Sequence, residues 1–157
     1  MKISTLIRTF LLALLPAIAL AADADIAVVV NKANPSDNIT KAQLRKMLLG
    51  EQEKWSSGAK VSVLLRSSGP EREGVLRAIC AMSALEFEQY FVHANFGGET
   101  ASLPKSLASA IAVRQLIASV PGAIGFIRVS DVNDSVKVVK LDGAGPGEPA
   151  YKLKAGN

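Results

Sequence analysis

The chain has 157 residues, 18 basic and 14 acidic, for a formal net charge of +4. That length holds one domain with a single proper core, and the modest charge gives no support for bulk electrostatic binding of nucleic acid. One cysteine, Cys80, and one histidine, His93, leave neither an internal disulfide nor paired metal ligands to be drawn from these residue types.

Met1 to Ala22 opens on Lys2 and Arg8, continues through an apolar stretch from Phe10 to Leu20 and ends in small residues. This is the layout of a cleavable signal peptide over 1–22. An uncleaved anchor is the competing reading, but the apolar stretch is short for a span and Pro16 interrupts it. The mature protein is therefore expected to be periplasmic or secreted and not to span a membrane. Loss of Lys2 and Arg8 leaves 16 basic residues against 14 acidic ones, a formal net of +2.

Ile26 to Val30 is a continuous β-branched run, as in a strand covered on both faces. After turn formers around Pro35, Thr40 with Gln43 forms a capping box for a helix with Leu44, Met47 and Leu48 on one face, closed by Gly50. A polar loop follows. In it Trp55 is expected to pack against this helix as a structural anchor, with ligand stacking as the alternative. Val61 to Leu65 is the second strand.

That strand ends in Arg66, followed by Ser67, Ser68, Gly69 and Pro70. Proline suits a first helical position, and the helix it opens carries Val75, Leu76, Ile79 and Cys80 on its apolar side. A strand feeding a helix start through small hydroxyl residues is an anion-site pattern, with Arg66 as counter-charge. Capping and turning alone is the bland alternative for the same residues. Ser83 with Glu86 caps a helix carrying Leu85, Phe87, Tyr90 and Phe91. Asn95 to Pro104 reads as a loop, and Ser106 as the cap of a helix with Val113, Leu116, Ile117 and Val120. Strands Ala123 to Arg128 and Val136 to Leu141 follow. The Gly- and Pro-rich residues 143–157 read as a flexible tail, so the domain proper is 23–142. Cys80 is expected to be a buried, inert thiol and His93 a packed or surface residue. No nucleophile elbow or phosphate-binding Walker loop is present, so an enzyme is not expected, and neither is a cofactor or a metal. Alternating strands and helices predict a three-layer αβα domain with a mostly parallel sheet. Ligands of such sheets sit at the carboxyl ends of strands.

The blocks VVVNKANP, LLGEQEKWSSG, VSVLLRSSG and SVPGAIGF, in this order and spacing, resemble the phosphate-type periplasmic solute-binding proteins of ABC transporters. The resemblance runs from about Ile26 to Val129. It implies a periplasmic-binding-protein-like fold, of which this chain holds one lobe. It also implies a ligand site for phosphate or a similar oxyanion at Arg66, Ser67, Ser68, Gly69, Glu71 and Arg72. The family pattern continues with Ser-Gly-Thr after the loop glycine, whereas Pro70, Glu71 and Arg72 stand here. Pro70 removes a donor, both hydroxyls are lost, and Glu71 brings a competing carboxylate. Two functions follow: weak oxyanion binding, or a module with a vestigial cleft that docks on a periplasmic or membrane protein. In the second case Glu71 is expected to take Arg66 or Arg72 as its partner and close the loop.

Overall fold

A computed structural model describes residues 25–98 and 101–156; the segment read as a signal peptide lies outside them. In chain order the elements are β1 (Ile26–Val30), β2 (Asn38–Ile39), α1 (Lys41–Leu48), β3 (Ser62–Arg66), α2 (Pro70–Val75), α3 (Ala84–Phe96), β4 (Lys105–Leu107), α4 (Ala110–Ser119), β5 (Ala123–Arg128) and β6 (Lys137–Leu141). A π-helical turn over Leu76–Cys80 prolongs α2. Among the described residues no helix is long and apolar enough to cross a membrane.

The six strands form one sheet in the order β2-β6-β1-β5-β3-β4. Strand β3 runs parallel to β4 and β5, and β2 runs parallel to β6. Only β1 is reversed, antiparallel to both β5 and β6. The expected mostly parallel sheet is therefore present, with five strands sharing one direction. Strand β1 lies between two neighbours and under helices on both faces, which is why its five residues are all buried and all apolar.

Successive strand residues point to opposite faces, and β1 shows the division directly. Ile26, Val28 and Val30 enter a core with Leu44, Leu48, Val75 and Phe87 from α1, α2 and α3. Ala27 and Val29 enter a second core with Val113 and Ile117 from α4. This is the predicted three-layer arrangement. Gly125 lets α4 approach the sheet closely, because a Cβ there would lie 2.8 Å from the Ile117 side chain.

Both expected capping boxes form, Thr40 with Gln43 and Ser83 with Glu86. The cap of α4 is different from the one expected: Ser109 accepts from Ala112, while Ser106 lies in β4. The physical reason is the free edge of β3. Pairing Lys105–Leu107 with Leu64–Arg66 satisfies backbone groups that a helical first turn there would leave open. Trp55 is buried with Met47 and Leu48, and its indole N–H donates to the Gly122 carbonyl at 3.0 Å. It thus ties the polar loop to the turn before β5. Trp55→Ala should cost about 3 kcal/mol in chemical denaturation; unchanged stability would show that the ring is not the anchor.

Residues 143–156 are not a loose tail, and this corrects the sequence expectation for the stretch 143–157 as far as it is described. Tyr151 and Leu153 are among the most buried side chains. The Leu153 carbonyl accepts the Ile26 N–H at 3.0 Å, and the Tyr151 hydroxyl donates to the Ile26 carbonyl. Asp25 is held by Lys154 and by the Gly147 N–H. Further on, the Gly156 N–H donates to the Pro70 carbonyl at 2.7 Å. Gly74 permits this path, since a Cβ there would stand 2.1 Å from the Lys154 carbonyl oxygen. The glycines and prolines shape the route, and two apolar anchors hold it down.

Candidate functional site

Strands β3 and β5 are parallel neighbours, with Leu64 opposite Gly125. Both end in arginine at the same edge of the sheet, with Arg128 one residue beyond the position opposite Arg66. That edge is the carboxyl end of the strands, where open α/β sheets place their ligands.

Gly69 carries the chain away from Arg66 with φ +100, a conformation glycine adopts without strain. Ser67 and Ser68 are exposed, and the Ser67 N–H is spent on the Leu107 carbonyl. Pro70 opens α2, as predicted. The Glu71 side chain then turns back over the loop. Its Oε2 comes close enough to Gly69 to touch a Cβ placed there, at 3.4 Å, and its Oε1 accepts from Arg128 Nε. Burial pushes the Glu71 carboxyl up, but more than offsetting this are the Arg128 hydrogen bond, its own backbone N–H and the charges of Arg128 and Arg66. The carboxyl is held net below the usual carboxylate range.

Arg66 itself differs from its neighbours. Its Nε is buried and donates to no acceptor among the described residues. A buried donor without a partner is costly, on the order of 1–3 kcal/mol. Arg72 spans the loop and α3: Nη1 donates to the Arg66 carbonyl at 3.4 Å, Nη2 lies 3.5 Å from Glu88 on α3, and the guanidinium stands 5.8 Å from the Phe87 ring centroid. Of the six residues expected at the site, Glu71 folds over Gly69 within the charge of Arg66, Arg72 bonds the Arg66 carbonyl while also reaching α3, and Ser67 and Ser68 are exposed beside them. Glu71 pairs with neither Arg66 nor Arg72, as had been expected, but with Arg128. The parallel register of β3 and β5 is what brings Arg128 within reach. Sequence reasoning missed Arg128, although LLR and FIR are matching apolar runs that both close on arginine.

Elsewhere the chemistry is sparse. Cys80 is buried, and burial pushes its thiol up to about 11 against the opposing charge of Arg45. It is protonated at neutral pH and a poor nucleophile. His93 is exposed on α3. A cavity of about 380 Å³ opens at the other end of β3, lined by Met47, Lys60, Ser62, Leu103 and Val120 among others, and no residue of the arginine loop lines it.

No protein-family model matches the chain. Solved structures do. The fold is that of about half of a phosphate-type transport receptor, on three likenesses. An ABC-type phosphate transport receptor from Vibrio cholerae superposes with a TM-score of 0.68 at 23% identity, covering 84% of this chain and 54% of that one. A putative phosphate ABC transporter substrate-binding protein from Clostridium perfringens, solved with bound phosphate, gives 0.65 at 24%, covering 84% and 53%. PstS from Borrelia burgdorferi gives 0.66 at 16%, covering 85% and 55%. The chain thus spans about half the length of the structures it matches. These likenesses show the one-lobe, periplasmic-binding-protein-like fold expected from the sequence.

Proposed function

We propose that this chain is an exported, non-enzymatic, one-lobe solute-binding module that holds phosphate or a similar oxyanion weakly at the Arg66 loop. The observation that carries this reading is the Arg66–Glu71–Arg128 cluster at the carboxyl ends of β3 and β5. Arg128 pairs there with the Glu71 carboxylate, and the charge of Arg66 acts on it without a bond between them. This leaves one positive charge in excess, and the Arg66 Nε is a buried donor without an acceptor among the described residues. An oxyanion would supply that acceptor and form a charge-assisted pair. Affinity is weak because Glu71 already takes up the space and half of the charge, and because one lobe covers only one side of a ligand. The phosphate named for the solved neighbours, and the transport role their names carry, agree with this choice of ligand class.

A second reading rests on the Glu71–Arg128 ion pair, which satisfies the loop from within. In that case the loop is structural, and the exposed edge of the lobe docks on a periplasmic or membrane protein. Calorimetric titration with phosphate and sulfate separates the two. The first reading expects weak heat from the native protein, reduced about tenfold or more in affinity by Arg66→Ala. No heat and no thermal shift with either anion would discard it in favour of the docking module.

A further inference from the structure

We propose that the outer face of α3 is a self-association surface, which pairs antiparallel with the same face of a second copy of this chain. Leu85, Val92 and Phe96 are 64%, 52% and 88% exposed. Isolated apolar residues on a surface are ordinary, but these three are aligned. At 3.6 residues per turn they fall within about 40° of one another around the helix axis. Phe87 and Phe91 occupy the opposite side, in the core. The helix therefore carries two apolar faces, and among the described residues only one is covered.

The spacing of the outer face identifies its occupant. Leu85, Gln89, Val92 and Phe96 are separated by four, three and four residues. This pattern reads the same from either end. A copy reversed about a two-fold axis between Gln89 and Val92 sets Leu85 against Phe96 of the second copy and Gln89 against Val92 of the second copy. Such an isologous contact closes after two subunits. The flanks suit the same register. Glu86 and His93 lie on one side of the stripe, both exposed, so the Glu86 carboxylate of one copy comes beside the His93 imidazole of the other, which can donate to it. On the other side, Glu88 comes beside the amide of Asn95. A membrane surface is a poor alternative, because α3 contains no lysine or arginine to meet anionic headgroups and carries two glutamates instead.

Sedimentation velocity of the purified protein tests this, and it does not depend on whether the arginine loop binds an anion. The native protein is expected to sediment as a dimer that dissociates on dilution. Phe96→Asp and Val92→Asp should sediment as monomers at every concentration while keeping a cooperative melting transition, because neither side chain is in the core. Any fall in melting temperature should be no larger than the loss of dimer stabilisation at that concentration. The register has its own check. In the double variant Leu85→Cys/Phe96→Cys the two thiols are about 16 Å apart along one helix, beyond the reach of a disulfide within a chain. Mild oxidation should therefore yield a covalent dimer, while Cys80, buried in the core, stays out of the reaction. A native protein that is monomeric throughout would overturn the proposal, as would a dimer that survives Phe96→Asp. A monomer that sediments with phosphatidylglycerol vesicles would assign the stripe to lipid and overturn it equally.

Discussion

Truncation after Gly143 is expected to unfold the domain, not to trim it. The removed residues include Tyr151 and Leu153, both buried against β1 in the larger core. Burying side chains of this kind contributes about 1.5–3 kcal/mol each. The same cut strips the Ile26 N–H and carbonyl of their partners and takes Lys154 and the Gly147 N–H from the buried Asp25. Each buried polar group left unpaired costs on the order of 1–3 kcal/mol. Even discounted for water reaching the uncovered face, the loss exceeds about 5 kcal/mol, and whole domains are stable by only about 5–15. The truncated protein should therefore show no cooperative melting transition. A graded series keeps the result interpretable. Tyr151→Phe keeps the ring and loses one hydrogen bond, about 1 kcal/mol. Tyr151→Ala loses the ring as well, about 3–5 kcal/mol. A truncated chain that melts like the native one would mean that the segment contributes nothing.

That segment also shows where sequence reasoning stops. Residues 143–157 are rich in glycine and proline, and composition averaged over such a window hides Tyr151 and Leu153, whose alternate spacing is the only strand-like signal in it. The central elements were readable because their signals are local. A β-branched run marks β1, capping boxes mark α1 and α3, and a proline marks the start of α2. What was not readable depends on partners distant in sequence. Ser109 replaces Ser106 as a cap because β3 offers an edge to residues 105–107. The reversed direction of β1 follows from its insertion between β5 and β6, which no pattern within five apolar residues encodes. The site divides in the same way. Arg66 and Gly69 were found from the strand-to-helix pattern, whereas the partner of Glu71 lies 57 residues away and is set by sheet register.

Glu71→Gln is expected to strengthen oxyanion binding and to remove part of the acid sensitivity of the fold. Glutamine keeps the shape of the side chain and removes its charge, so Arg128 is no longer held by an internal carboxylate and Arg66 no longer has one nearby to offset its charge. Arg128 is 37% exposed and can return to water at little cost. An oxyanion entering the loop then meets two guanidinium groups without a competing charge. The gain should be on the order of 1.5–3 kcal/mol, or about ten- to hundredfold in affinity. Acidification should act in the same direction on the native protein, and the sign follows from the carboxyl being held below its usual range. The unfolded chain binds the Glu71 proton more readily than the folded one. The stability that Glu71 contributes is therefore complete above its unfolded value, about 4.3, and is lost as pH falls through the folded value. Protonation also empties the loop of its internal charge. Sulfate is the appropriate probe, because its own charge is constant over this window while that of phosphate is not. Native affinity for sulfate should rise as pH falls below the carboxylate range, and that of Glu71→Gln should already be high at neutral pH and change little. If Glu71→Gln binds sulfate no better than the native protein, the loop is not an anion site and the Glu71–Arg128 pair is only a structural closure.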